Sequence, residues 1–287
     1  MLKKLLKHEF RATRRFFLPA YGIFVILLVL ERLSILAAPL TEGEGFFATM
    51  SAITMGLITV LTVIGLFALL ISPMVFNAIR FYRNMLGDEG YLTFTLPVSV
   101  DQLILSRLLT AMTWQILTGL VVGLFGGAFL FSLEPEAFAG LFEELSLVFG
   151  YALDSAGGWL GVIVLELLIM VLINIACQLL VMYSAMSIGQ IANRHKLLAS
   201  FGAYIGISTA VNWLLSISMT LFVFTLDNGW ADNLLSQLEL AVAGNDFTIV
   251  FIFYAAFCLI YILGASLLAL GYYFLTRYFL TKKLNLA

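Results

Sequence analysis

The sequence predicts an all-α membrane protein with six transmembrane helices, an N-terminal amphipathic interfacial helix and both termini in the cytoplasm. Three observations carry this reading. Only 11% of the 287 residues are charged, against roughly a quarter in soluble domains, and the mean hydropathy is +1.05. Six stretches stay apolar over the about twenty residues that cross a hydrocarbon core. Every lysine and arginine except Arg32 falls in the N-terminal segment, the second and fourth connections, or the tail.

The spans are expected near 17–38, 51–77, 104–131, 158–189, 198–226 and 248–275. Uniform apolarity over such lengths excludes strands of a membrane barrel, which alternate with period two. The first run is too long for a signal-peptide core and no small-residue cleavage site follows it, so it reads as a span. No hydrophilic stretch is long enough for a soluble domain and no repeat is visible, so residues 1–287 read as one transmembrane domain.

Positive charge is retained on the cytoplasmic side, which sets the orientation. Arg80, Arg83 and Arg107 mark the second connection as cytoplasmic, Arg194 and Lys196 the fourth, and Arg277, Lys282 and Lys283 the tail. The first, third and fifth connections collect acids instead, among them Glu31, Glu42, Glu134, Glu143, Asp154, Asp227 and Asp246.

Composition also narrows function. Basic residues number 15 against 17 acidic ones, with no basic stripe interleaved with aromatics, so nucleic acid is not an expected partner. Two histidines, His8 and His195, and two cysteines, Cys177 and Cys258, are too few for a zinc or haem site. No G-x-x-x-x-G-K-[ST] loop occurs, so any ATP-driven motor must be another chain, and no cofactor is expected in this one.

In residues 2–16, at 100° per residue, Lys3, Lys4, Lys7, Arg11, Arg14 and Arg15 fall within an arc of about 120°, with Leu2, Leu5, Leu6, Phe10, Phe16 and Phe17 opposite. This is the pattern of a helix lying in the cytoplasmic interface, its basic face toward anionic lipid. A topogenic charge cluster would explain the charge but not the period. Glu9 falls in the apolar arc and needs a partner, Arg80 or Arg83, unless it bends toward water.

The second connection, from Arg80 to Arg107, is the most specific segment. Gly87 and Gly90 punctuate it around Asp88 and Glu89; Pro97 stops one element, and Ser99 can cap another whose first turn holds Asp101. A short amphipathic helix, a turn and the start of the third span satisfy the pattern. Phe81, Tyr82, Met85 and Leu86 lie between Arg80, Arg83 and Asn84, as in docking surfaces; a solvated linker would leave many aromatics exposed.

The run Asp88-Glu89-Gly90-Tyr91-Leu92-Thr93-Phe94-Thr95-Leu96-Pro97-Val98-Ser99, followed by Gln102-Leu103-Ile104-Leu105-Ser106-Arg107, resembles the region after the second span in permease subunits of type-2 ABC exporters. The N-terminal amphipathic helix, six spans and cytoplasmic termini are similar to that class over the whole chain. The resemblance implies a coupling helix between spans 2 and 3, at roughly 78–90 and including Arg80 to Gly90, that seats in a separate ABC ATPase subunit. It also implies a bacterial cell membrane, ATP and Mg in that partner, and two permeases, identical or homologous, per transporter. Members often carry short helices between the fifth and sixth spans, where residues 227–247 lie. The chain departs from such members in its sizeable third connection, from Pro135 to Trp159.

That third connection reads as an amphipathic helix capped by Ser132, with Glu134 and Glu136 in its first turn and Phe138, Leu141, Phe142 and Leu145 on one face. It lies on the outer leaflet or covers the pathway mouth. Within the spans, Glu166 is the only carboxylate expected deep in the membrane, about 10 Å inward from Trp159. It lines the pathway or a helix interface, or pairs with Arg32, which otherwise snorkels outward. Asn174 and Gln178, four residues apart, suit interhelical hydrogen bonding first and pathway lining second.

The expected function is the permease of an ATP-driven exporter for an amphipathic or lipophilic substrate such as a peptide, drug or lipid. It is a transporter subunit and not an enzyme. A membrane scaffold or immunity protein is the alternative. An intramembrane protease lacks a histidine within the spans to serve a serine.

Overall fold

The computed structural model describes residues 2–37, 45–95, 97–156, 158–192, 195–226, 236, 240 and 248–282. Nearly all of them are helical: α1 (Leu2–Ala37), α2 (Phe46–Phe81), a π turn (Tyr82–Leu86), α3 (Asp88–Phe94), α4 (Val100–Val121), a second π turn (Val122–Gly126), α5 (Gly127–Leu133), α6 (Pro135–Ala156), α7 (Trp159–Gly189), α8 (Lys196–Leu226) and α9 (Thr248–Lys282). Six helices are long and apolar enough to cross a membrane, covering Leu2–Ala37, Phe46–Leu86, Val100–Phe131, Trp159–Gly189, Lys196–Leu221 and Ile249–Lys282. Each overlaps one of the six expected spans, but the first begins at residue 2 and not 17, the second runs on to residue 86 and the sixth to residue 282; α6 occupies the third connection where an amphipathic helix was expected. The side chain of Ser132, and residues 227–247 apart from Ser236 and Leu240, lie outside the described set.

The chain divides into two compact units: residues 1–80 with 101–144, and residues 81–100 with 145–287. In the first, α1 is one continuous helix of 36 residues, not a separate segment over 2–16 followed by a span. The reason is a single buried stripe, Thr13, Phe17, Phe24 and Glu31, whose spacings of four and seven keep one face inward across the expected break. Pro19 lies inside α1 and removes the donor that would meet the Arg15 carbonyl, a loss that spanning helices tolerate. Lys3, Lys4, Lys7, Arg11, Arg14 and Arg15 are all exposed.

Aromatic packing ties α1 to α2 and α4. Phe17 stacks on Trp114 at 4.7 Å between ring centroids and meets Phe76 edge-on at 5.1 Å. The Trp114 indole N–H donates to Thr13 Oγ1 at 2.7 Å, and Tyr21 and Thr118 share a hydroxyl hydrogen bond of 2.7 Å. The Trp114 indole and the Tyr21 phenol thus each meet a partner on a neighbouring helix, as buried indoles and phenols require. Farther along α4, a Cβ at Gly126 would stand 3.1 Å from Leu66 Cδ1, so the second π turn lies close against α2.

In the second unit, α7 packs against both α8 and α9, and its most buried stretch is Leu179–Ala185, continuing to Ser187 and Gly189. Phe81 stacks flat on Tyr183, with centroids 4.0 Å apart and planes 9° from parallel. The turn from α7 to α8 brings Gly189 against the backbone of Ser200, leaving no room for a side chain. Cys177 Sγ donates to the Ala265 carbonyl at 3.1 Å, another α7–α9 link.

Candidate functional site

The segment after α2 belongs to the second unit from Phe81 onward. Its π turn closes with the Gly87 N–H donating to the Tyr82 carbonyl at 2.8 Å. A Cβ on Gly87 would stand 3.0 Å from the Arg83 carbonyl oxygen, so a bare α-carbon suits this position. Gly87 is extended, with φ −97° and ψ −167°, and it ends the π turn and starts α3. The Gly90 N–H donates back to the Gly87 carbonyl at 2.8 Å. The Thr93 hydroxyl lies 2.9 Å from the Asn84 carbonyl and 3.0 Å from the Glu89 carbonyl, folding α3 onto the π turn. Arg83 and Glu89 form an exposed ion pair of 3.1 Å across the bend.

In this geometry the side chains of the expected docking segment divide between a buried and an exposed face. Phe81, Met85 and Leu86 are buried, at 1%, 0% and 4% exposure, and Tyr82 is half-buried. They form the inner face of the segment because Phe81 and Met85 are four residues apart and the π turn carries Leu86 onto the same side. The large side chains that remain outside are Tyr91 and Leu92, at 67% and 69% exposure, beside Arg83 and Glu89. Asn84 is half-buried, Gly90 is buried, and Asp88 opens α3 with its side chain outside the described set. The expected single helix over 78–90 is instead the end of α2, the π turn and the start of α3. A five-residue turn inside an apparently helical pattern shifts every later residue around the axis, so a 3.6-residue period misassigns the faces beyond it.

Arg80 lies on the other side of the division, in the first unit, where Nε and Nη2 donate to Glu9 Oε2. Of the two partners open to Glu9, Arg80 is the one it takes, while Arg83 pairs with Glu89.

Among the intramembrane polar groups, Glu166 is buried, and its Oε2 has no hydrogen-bond partner among the described residues. Arg32 belongs to the first unit, with its guanidinium 5.9 Å from the Phe131 ring centroid, a cation–π distance. Asn174 receives the Tyr261 hydroxyl at 2.7 Å and donates from Nδ2 to the Met170 carbonyl at 2.8 Å, linking α7 to α9. Gln178 lies one turn further along α7 and is exposed.

Glu166 is not the only buried carboxylate. Glu31, expected with the acids of an outward connection, is 1% exposed in α1. The Thr59 hydroxyl of α2 lies 3.2 Å from its Oε1, and Oε2 has no hydrogen-bond partner among the described residues. The signal was present in the spacing: Phe17, Phe24 and Glu31 repeat every seven residues, so Glu31 had to share the inward face.

Among the described residues no group of three or more His, Cys, Asp or Glu side chains is arranged to hold a metal ion. Among the described residues, Tyr91 and Leu92 are exposed on α3, and Glu31 and Glu166 are buried carboxylates within the long helices. No protein-family model, curated protein or solved structure matches the chain.

Proposed function

We propose that the chain is the membrane-spanning permease subunit of an ATP-driven ABC exporter in a bacterial cell membrane, working with a separate ATPase and a second permease. The observation that carries this reading is the bent element between the second and third long helices. It presents Tyr91 and Leu92 beside the Arg83–Glu89 pair while anchoring itself through Phe81 on Tyr183. Exposed aromatic and aliphatic side chains ringed by charge are what a docking surface uses. The lysine and arginine distribution supports placing this element and both termini in the cytoplasm, where an ATPase works.

The mechanism follows from the anchoring. Force applied to α3 passes through the π turn into α2 and, through the Phe81–Tyr183 stack, into α7, whose inner stretch is the most buried part of that helix. Glu166 and Glu31 line the regions where polar contact inside the spans is retained at an energetic cost, so they are the groups a substrate or its pathway would use. An apolar protein face with few polar groups suits an amphipathic or lipid-like substrate.

The test is copurification of an ATPase with the tagged chain from native membranes. Tyr91→Asp combined with Leu92→Asp is expected to lose the ATPase while the permease stays folded and inserted. An unchanged ATPase yield from that variant removes α3 as the docking surface, and the lack of any ATPase with the native chain removes the exporter reading.

A further inference from the structure

Glu31 lies within the first long apolar helix and is 1% exposed, and its Oε2 has no hydrogen-bond partner among the described residues. What surrounds the carboxyl group is oxygen. Thr59 and Thr62, three residues apart on α2, both turn their hydroxyls to it, with Thr59 Oγ1 at 3.2 Å from Oε1. Each hydroxyl has one hydrogen, and a helix carbonyl takes it. Thr62 donates to the Ile58 carbonyl at 2.9 Å, and Thr59 stands 3.1 Å from the Met55 carbonyl, closer than to Glu31. The carboxylate and the two hydroxyls therefore face one another with lone pairs, acceptors with no donor among them. Arg32 does not supply the positive charge that such a set calls for. It follows Glu31 by about 100° around α1, is exposed, and holds its guanidinium 5.9 Å from the Phe131 ring centroid.

We propose that the Glu31 carboxylate and the hydroxyls of Thr59 and Thr62 bind a sodium ion between α1 and α2. An enclosed set of acceptors takes a cation, and hard oxygen ligands select a hard one. Charge sets the valence: one carboxylate neutralises one positive charge, whereas a divalent ion would leave an excess charge within the span. Spacing sets the size. Oxygens about 2.3–2.6 Å from an ion of the calcium radius, which sodium shares, stand about 3.3–3.7 Å apart at a right angle. The 3.2 Å between Glu31 Oε1 and Thr59 Oγ1 is close to that. It is longer than the about 2.5–2.7 Å of a hydroxyl donating straight to a carboxylate. Glu31 belongs to α1 and the threonines to α2, so an ion held here also joins the two helices. Such a site requires neither an ATPase nor a second permease.

Equilibrium binding of radioactive sodium to the purified full chain in detergent tests this, at constant ionic strength made up with choline chloride. Saturable binding is expected, displaced by unlabelled NaCl. Glu31→Gln is expected to abolish it. Thr62→Val, which keeps the shape of the side chain and removes one ligand, is expected to weaken it about tenfold. Elution profiles check that each variant stays folded. The native chain gives a second measurement that no folding defect can confound. Modification of Glu31 by dicyclohexylcarbodiimide, read by peptide mass, should slow several-fold in NaCl relative to choline chloride, while modification of Glu166 should not respond to the ion. The absence of saturable binding, or equal binding in the native chain and Thr62→Val, overturns the site. So does modification of Glu31 that falls with rising pH but ignores NaCl, which would show a proton to be the only cation held there.

Discussion

Glu9 and Arg80 are joined through one carboxylate oxygen, with Arg80 Nε and Nη2 at 2.9 and 2.7 Å from Glu9 Oε2. The pair ties α1 to α2 across 71 residues of chain, and Arg107 of α4 adds its Nη2 at 3.9 Å from the other oxygen, Oε1. One carboxylate thus faces two guanidiniums, with Arg107 buried and Glu9 and Arg80 half-buried.

Glu9→Gln is therefore expected to destabilise the protein by about 1–3 kcal/mol, because it removes a charge-assisted hydrogen bond from the half-buried Arg80 and the counter-charge from the buried Arg107. Arg80→Met should cost less, since Arg107 still faces the carboxylate, and the double variant Glu9→Leu with Arg80→Leu should recover part of the loss. Thermal unfolding in detergent micelles measures the order. If Arg80→Met proves worse than Glu9→Gln, Arg107 does not share the carboxylate.

The Phe81–Tyr183 stack makes a second prediction. Phe81→Ala removes a fully buried ring and should cost about 3–5 kcal/mol, and Tyr183→Ala a similar amount. Because the rings lie on each other, the double variant should cost clearly less than the sum of the two. Additive losses would mean that the rings are held by their other neighbours. Phe81→Asp should reduce folded yield, so loss of a partner in that variant reports unfolding and not docking.

At the turn from α7 to α8, Gly189→Ala should strongly reduce folded yield. The added Cβ would stand 2.5 Å from the Ser200 nitrogen and 2.6 Å from its Cα, distances that only backbone movement can relieve. Ser200→Ala removes the hydroxyl but not those atoms, so it should not rescue Gly189→Ala. Rescue would show that the side chain alone sets the close approach.

Glu31→Leu and Glu166→Leu each replace a buried carboxylate that has an oxygen with no partner among the described residues, and each is expected to leave the unfolding temperature unchanged or raised; if the chain is the exporter permease proposed above, each should also lower transport. The readouts are thermal unfolding and substrate efflux from cells on matched expression. A Leu variant that unfolds at lower temperature would show that the carboxylate is structural.

The number of long apolar helices, the boundaries of the third, fourth and fifth within about five residues, and the basic periodicity of residues 2–16 were legible from local composition, because burial in hydrocarbon acts on each twenty-residue stretch by itself. The helix over Pro135–Ala156 and the start of α4 after Pro97 and Ser99 were legible for the same local reason: caps, prolines and first-turn acids act within one turn. What lay beyond local reach was which face turns inward. A single stripe of Thr13, Phe17, Phe24 and Glu31 merged the N-terminal segment with the first span, since packing against α2 and α4 outweighs a local change in polarity. The π turn at Tyr82–Leu86 put Phe81, Met85 and Leu86 inside and left Tyr91 and Leu92 outside, which periodicity cannot register, since one extra residue in a turn rotates all that follow. The choice of Arg80 over Arg83 for Glu9, and the burial of Glu31 against Thr59, rest on contacts between segments distant in the chain. Charge and spacing limit the possible partners, but only the approach of one helix to another decides which of them is within 3 Å.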